Sequence, residues 1–417
     1  MESPPDSPLS TSSRWTRTLK ERYKILERHK LGEGSSATVY KGLDKTECRN
    51  VAVKLYKSAP GDSSGLEAFK QSVEVFHAIS AERPNIGEVL RAEQMSQKRR
   101  SFEDMPIEAR RAGSKDSADS AGIMRYKTDV FLEKLDVRDC FVRLLDYSKT
   151  DSGEPGLDAE DEVLFLVFEL GDESLEDKLL ALSEDGETLT IDELRALQWT
   201  LVSIVWGLHA AGYVHLDIKP KNVMSFEIDG REQWKLIDLD GAVPSGSKQN
   251  LKALTYTPEY MPPELAHACY SASLVTSSSG GRASQLPMLT MSRLMDVWSV
   301  GICALEAIFL QPVLRPFYND WIEETGSDLK FYQWLGDYKS DPIVAEDMKE
   351  YIAGIHQDMA NLLEGMLTKD PSQRFSIGQC VSHAWFEPVR RTLMSELNLD
   401  QPLGDGALKG ARACILM

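Results

Sequence analysis

The spacing of apolar and polar positions divides the chain into periodic stretches separated by polar ones. From Tyr23 the residues become strand-like, and the alternation in Val51-Ala52-Val53-Lys54 predicts a strand that ends on an ammonium. Leu66, Phe69, Val73 and Phe76 recur at helical spacing, which predicts a helix over 64–81. The run from Val163 to Gly171 is apolar almost throughout before it turns polar, as a strand buried on both faces reads. Leu194, Leu197, Leu201, Ile204, Val205 and Leu208 predict a largely buried helix within 189–211. Three stretches carry no such period. Residues 1–13 are rich in Pro and Ser and cannot bury a core. Residues 92–122 are polar and read as a disordered insert, and residues 271–284 are rich in Ser, Thr and Gly.

Composition narrows the class without choosing a function. At 417 residues, 42% hydrophobic and 27% charged, the chain has the make-up of a soluble globular protein with room for two lobes. A net charge of −18 argues against nucleic acid, or an anionic membrane, as the partner of the whole surface; cationic substrates match it better at long range. The six cysteines, at 48, 140, 269, 303, 380 and 414, show no metal-binding spacing, and no N-terminal apolar run resembles a signal peptide. A reducing compartment, cytosolic or nuclear, is therefore expected. No window approaches eighteen consecutive apolar residues.

Candidate chemistry is densest in His215-Leu216-Asp217-Ile218-Lys219-Pro220-Lys221-Asn222. An Asp, a Lys two residues on and an Asn five residues on offer a carboxylate for a proton, an ammonium for a phosphate and an amide oxygen for a metal. The stretch resembles the His-x-Asp-x-Lys-x-x-Asn loop of eukaryotic protein kinases, and further elements of that family follow in order. Leu31-Gly32-Glu33-Gly34-Ser35-Ser36-Ala37 resembles the glycine-rich phosphate loop, with Ala37 for the third glycine. Lys54 ends the strand that in the family meets the α- and β-phosphates. Its helix partner is Glu74, with Glu133 as the rival if the helix lies beyond the insert. Asp238, in Ile237-Asp238-Leu239-Asp240-Gly241, matches the Asp of Asp-Phe-Gly; a framing on Asp240-Gly241 is the lesser alternative, and Asp240 in place of Gly puts flipping of the loop in question. Thr257-Pro258-Glu259-Tyr260-Met261-Pro262-Pro263-Glu264, Asp296-Val297-Trp298-Ser299-Val300-Gly301 and Arg374 resemble the C-lobe elements of the family.

The resemblance, which covers about residues 23–388, implies an α+β, two-lobed protein-kinase-like fold: a small, mostly antiparallel β N-lobe with one main helix, and a larger, mainly helical C-lobe. The expected domains are a flexible tail over 1–22, an N-lobe over 23–170 with the 92–122 insert, a C-lobe over 171–388 with a Ser-rich insert at about 270–290, and a tail over 389–417. It implies ATP and Mg²⁺ as cofactors. Asp217 would accept the proton of the substrate hydroxyl, and Lys219 would neutralise the γ-phosphate, with Lys54 as the third catalytic group. Asn222 and Asp238 would hold metal. Leu31, Gly32, Gly34, Val39, Ala52, Lys54, Glu74, Phe168, Glu169, Gly171 and Met224 would line the nucleotide site, Glu169 and Gly171 through main chain. Thr257 would contact Asp217 and Lys219, as in the Ser/Thr branch, and Glu264 would pair with Arg374. Leu216 stands where many members carry an Arg that grips an activation-loop phosphate, so activity without phosphorylation at Ser245, Ser247 or Thr255 is expected.

Cys414-Ile415-Leu416-Met417 resembles a farnesyl-type prenylation box. One prenyl chain holds a protein only marginally, and Lys409 and Arg412 add about 1 kcal/mol each at an anionic surface. Dynamic, peripheral membrane contact is therefore expected. The sequence points to a Ser/Thr protein kinase acting on protein hydroxyls; the alternative is a pseudokinase scaffold, which Ala37, Leu216 and Asp240 make thinkable.

Overall fold

The computed structural model describes residues 16–34, 36–57, 64–81, 135–278, 288–396 and 413–414. They fall into two compact units, the described residues within 1–77 and 142–171 and those within 78–141 and 172–417. The expected insert at 92–122 lies outside the described residues.

The first unit is a six-stranded sheet. Strands β1 (Thr16–Leu19), β2 (Tyr23–Glu33), β3 (Ala37–Asp44) and β4 (Arg49–Tyr56) follow one another, helix α1 (Ser64–Ala81) comes next, and β6 (Leu144–Tyr147) and β7 (Phe165–Glu169) complete the order β1-β2-β3-β4-β7-β6, every pair antiparallel. Side chains alternate across the pleat, so Val51 and Val53 enter a core with Leu19, Tyr23, Ile25, Phe165 and Val167, while Ala52, Lys54 and Tyr56 point to the other face. Helix α1 covers that second face: Phe69 meets Tyr56 edge-on at 5.6 Å between ring centroids, and Phe76 meets Phe168 at 5.2 Å. The sheet starts earlier than the sequence suggested. Strand β1 falls inside the stretch assigned to a flexible tail; it is a short edge strand whose one deeply buried residue, Leu19, leaves no visible period.

The second unit is mainly helical, so an antiparallel sheet with one helix stands with a helical body, the α+β class expected. Between β5 (Leu135–Asp136) and the tail, β14 (Ala413–Cys414) pairs parallel. Helix α2 (Leu175–Asp185) starts at Ser174 and α3 (Ile191–Ala210) at Thr190. Each has a capping box, in which the side chain of Asp177 or Glu193 returns to the cap N–H. Strands β8 (Tyr213–Val214), β9 (Val223–Ile228), β10 (Arg231–Leu236), β11 (Val243–Pro244) and β12 (Lys248–Asn250) lead to helix α4 (Pro263–Ser278). Strand β13 (Met288–Thr290) precedes α5 (Leu294–Phe309), in which every residue from Met295 to Ile308 is buried. Helices α6 (Arg315–Thr325), α7 (Leu329–Leu335), α8 (Glu346–Ile355), α9 (Gln357–Met366), α10 (Ile377–Ser382) and α11 (Glu387–Glu396) complete the unit. Helix α11 runs past 388, the expected end of the domain. The stretch expected as a Ser-rich insert carries regular structure at both ends: α4 extends to Ser278, because Leu265, Ala266 and Ala272 bury one side while the serines add little periodic signal, and β13 starts at Met288.

One ion pair ties distant parts of this unit together. The Arg374 guanidinium, fully buried, grips Glu264 through two bonds of 3.0 and 2.8 Å and donates as well to the carbonyls of Leu294, Thr368 and Lys369. Removing one member of such a pair strands the other charge in a dry site, at a cost of about 3–5 kcal/mol. Arg374→Ala should therefore lower the thermal midpoint by on the order of 10 °C, read by calorimetry; a shift of under 2 °C would show the pair to be incidental.

Candidate active site

The catalytic loop is held from below by one buried carboxylate. Asp296, in the first turn of α5 and wholly buried, accepts from the backbone N–H of His215 (2.8 Å to Oδ2), the N–H of Leu216 (2.9 Å to Oδ1) and Nε2 of His209 (2.9 Å). A carboxylate near a helix N-terminus is favoured by the helix dipole, and three donors offset its desolvation. The N–H groups it takes come from a bent segment: Leu216 has φ +70°, a left-handed conformation that side chains resist at about 1–3 kcal/mol. Burial of Leu216 among Val214, Val243, Met291 and Met295 offsets that strain.

His215 connects this anchor to the chemistry. Its Nδ1 accepts from the N–H of Asp217 at 3.2 Å, so its Nε2 carries the proton it donates to the carbonyl of Asp238. Asp217 is then closed into a triangle. Thr257 Oγ1 donates to Oδ1 at 2.6 Å, Lys219 Nζ donates to Oδ2 at 2.8 Å, and the same Nζ donates to Thr257 Oγ1 at 2.7 Å. Only 7% of Asp217 is exposed, so the carboxylate has one orientation. The three residues the sequence brought together here are in contact, and an alcohol placed at Asp217 would find an oriented acceptor beside a fixed ammonium.

The expected metal residues are set by a hairpin. Strands β9 and β10 pair from Ile228↔Arg231 to Val223↔Leu236 around the two-residue loop Asp229-Gly230, whose φ values of +52° and +76° are those of a type I′ turn. With the turn fixing the register, the N–H of Ile237 reaches the carbonyl of Asn222 at 3.0 Å, so the hairpin brings Asp238, the next residue, to the same open end as Asn222. Asn222 Nδ2 donates to the carbonyl of Asp217 at 2.9 Å, which leaves Oδ1 as the outward atom. An amide oxygen beside a carboxylate is a hard donor set suited to Mg²⁺, which takes one or two protein oxygens and fills its remaining positions from phosphate and water. Among the described residues no group of three His, Cys, Asp or Glu converges. Asp240 donates its N–H to Asp238 Oδ1 at 3.3 Å and is not among the residues with positive φ, so the Asp in place of Gly needs no special backbone here. Met224, half-buried in β9, bridges to Ser174.

In the first unit the other candidates share one sheet. Gly32 sits opposite Val39 in the β2–β3 pair, and Gly34 donates to the carbonyl of Ala37 at 2.9 Å. A Cβ built on Gly32 would meet nothing within 4 Å, so the chain's own packing does not require glycine there; the room suits close approach of a phosphate. Leu31 is exposed on the same strand. Ala52 and Lys54 lie on the α1 face of β4, with Lys54 Nζ 5.6 Å from the centre of the Tyr56 ring. In β7, Phe168 lies opposite Ala52, and Glu169 spends its N–H on the carbonyl of Arg143 at 3.2 Å, with Gly171 two residues on. Glu74 does not sit as its proposed role requires. It is exposed on α1, flanked by buried Val73 and Val75, and among the described residues it makes no hydrogen bond or ion pair. Apolar spacing placed the helix, but it is the turn of the helix that decides which polar residue faces Lys54. The rival Glu133 lies outside the described residues. Of Cys414 the structure describes only the backbone, paired with Asp136.

The segment Thr257–Glu264 is tied to α5 by two contacts, one of which reaches Glu306, a residue that the sequence did not single out. Ser299 Oγ donates to the carbonyl of Tyr260 at 2.9 Å, and the Tyr260 hydroxyl donates to Glu306 at 3.0 Å. Burial pushes the Glu306 carboxyl up to about 7, with Glu176 and Glu259 adding repulsion, and its Oε1 has no partner. A lone Glu in the apolar run of α5 was the available signal.

A family model described as "Protein kinase domain" matches residues 131–386, more than half of the chain. Myosin light chain kinase 2, skeletal/cardiac muscle, of Rattus norvegicus is 25% identical over 223 residues, 54% of this chain and 30% of that protein. Myosin light chain kinase, smooth muscle, of Gallus gallus is 28% identical over 180 residues, 43% of this chain and 8% of that protein. The probable serine/threonine-protein kinase pXi of Dictyostelium discoideum is 25% identical over 228 residues, 55% and 26%. The chain thus spans less than a third of the length of these curated relatives.

Glu306 gives the site a pH signature. In the unfolded chain it loses its proton near the ordinary carboxylate value, whereas folded it holds the proton to about 7. Between those values the folded state binds more protons, so its stability falls as pH rises, and the deficit is complete above 7. Glu306→Gln should match wild type near pH 4 and be more stable by about 1–3 kcal/mol at pH 8 in urea unfolding. A constant difference across that range would contradict this.

Proposed function

This chain belongs to the protein kinase family, and on that premise we propose that it transfers the γ-phosphoryl group of ATP, with Mg²⁺, to Ser or Thr hydroxyls of proteins. The observation that carries the reading is the closed triangle of Asp217, Lys219 and Thr257. Phosphoryl transfer asks little covalent chemistry of a protein and much placement, and the triangle holds a proton acceptor and a cation in one geometry. Asp217 would orient the hydroxyl and take its proton; Lys219 would stabilise charge on the transferring group. Asn222 and Asp238 would hold Mg²⁺, which supplies charge neutralisation on the phosphates. Lys54 and the backbone of the Gly32–Gly34 loop would bind the phosphates of the nucleotide. Thr257 in contact with both Asp217 and Lys219 supports hydroxyl substrates on Ser or Thr.

Localisation is cytosolic in this reading, with a lipid on Cys414 giving reversible contact with membranes. No helix of the described residues is long and apolar enough to cross a bilayer. The β14–β5 pair spans two residues, too short to be stable by itself, so it would yield to a transferase.

Labelled transfer from Mg-ATP to basic and acidic test proteins separates the readings. Wild type should transfer, and Asp217→Asn and Lys54→Met should each lose at least 99% of the signal; nucleotide bound without transfer by wild type would favour a scaffold instead. In cell fractionation, Cys414→Ser should move the membrane-associated share to the soluble fraction, and an unchanged distribution would remove the lipid from the account.

A further inference from the structure

The segment between Asp238 and Glu264 is held by a strand from elsewhere in the chain. Strand β13 pairs antiparallel with β12, Lys248 opposite Thr290, Gln249 opposite Leu289 and Asn250 opposite Met288. The pairing continues beyond the ladder: the N–H of Gly246 reaches the carbonyl of Met291 at 2.8 Å, and the N–H of Met291 reaches the carbonyl of Ser247 at 2.9 Å. Side chains of the same piece enter the catalytic loop's own cluster. Met291 is 1% exposed and packs with Leu216, Val214, Val243 and Met295, and the half-buried Leu289 and Leu254 close over them. Leu216 immediately precedes Asp217, and Leu254 is three residues from Thr257.

The segment's own polar groups point the same way. The Ser247 hydroxyl donates to the carbonyl of Pro244 at 2.6 Å and accepts from Gln249 at 2.9 Å. Asn250 caps the turn Leu251–Ala253 by accepting from the N–H of Lys252. The backbone is thus paired on one side by β13, braced locally by side chains, and packed through the half-buried Leu254 against the cluster that holds Leu216, without any added charge.

We infer that β13 with Met291 is an internal strap, and that Leu289 and Met291 are positioning residues that hold the segment so that Thr257 meets Asp217 and Lys219. The strap does by strand pairing and apolar burial what a phosphate gripped by an arginine would do by charge. The inference rests on the kinase reading for its consequence on rate, while the strap itself is a statement about order in residues 246–250.

The test uses the full chain after phosphatase treatment. Met291→Pro removes the N–H that reaches Ser247, Leu289→Asp places a charge at the edge of the cluster, Met291→Leu keeps both pairing and burial, and Met288→Ala changes an exposed side chain outside the cluster. Dephosphorylated wild type, Met291→Leu and Met288→Ala should transfer phosphate alike. Met291→Pro and Leu289→Asp should lose at least tenfold in kcat, with the KM for ATP little changed and the chain still folded at the assay temperature although its melting temperature falls with the lost packing, and their amides at 246–250 should exchange with solvent at least tenfold faster. Loss of wild-type transfer on dephosphorylation, or unchanged kcat and exchange in both disruptive variants, would overturn the strap. If wild type transfers nothing, the kinase reading fails by itself; slow exchange at 246–250 that Met291→Pro accelerates would still support the strap, and exchange indifferent to that change would overturn it.

Discussion

The chemistry of the second unit depends on the carboxylate of Asp296. Among the described residues no Lys or Arg pairs with it, and the donors that offset its desolvation are two backbone N–H groups of the catalytic loop and the ring of His209. The dependence is mutual: the loop needs an acceptor to hold Leu216 in a left-handed turn, and the carboxylate needs donors to be buried at all. From that anchor the order passes through His215 to the N–H of Asp217 and to the carbonyl of Asp238, so the two carboxylate residues are set by one imidazole. Helix α5 brings Asp296 to this point, and the burial of nearly the whole helix makes it a rigid support.

Two further devices set the remaining distances. A two-residue Asp-Gly turn fixes the β9–β10 register, and a slip of one residue would carry Asp238 away from Asn222 and reverse the faces of the hairpin. Thr257 reaches Asp217 from a segment held on one side by β13 and at its far end by Ser299 and the Arg374–Glu264 pair. Local turn chemistry, strand pairing and buried charge thus all act on one small group of polar atoms, each constraining a different direction.

Much of this was legible in the sequence where period and chemistry coincide. The alternation at Val51–Lys54 and the apolar run at Leu164–Phe168 read as strands because each buries a continuous face, and the spacing Asp217, Lys219, Asn222 named the central residues directly. Three features were hidden for physical reasons. Strand β1 buries too little to show a period. Glu74 lies on a helix that spacing located, but a rotation of about 100° per residue, which spacing to a distant motif cannot resolve, turns it to solvent. Leu216 read as a missing arginine, whereas packing makes it a core residue whose partners, Met291 and Leu289, lie beyond a Ser-rich stretch that offers no pattern linking them.

The central claim is that the Asp296 carboxylate, by holding the catalytic loop, sets the position of Asp217. The direct measurement is the rate of phosphoryl transfer by Asp296→Asn, with nucleotide affinity measured alongside. The substitution keeps size but turns one acceptor into a donor facing N–H groups, and misplacement of a catalytic group by about 1 Å costs on the order of 10²-fold. The account predicts a fall in kcat of that size with ATP affinity within about twofold of wild type; a kcat within threefold of wild type would contradict it.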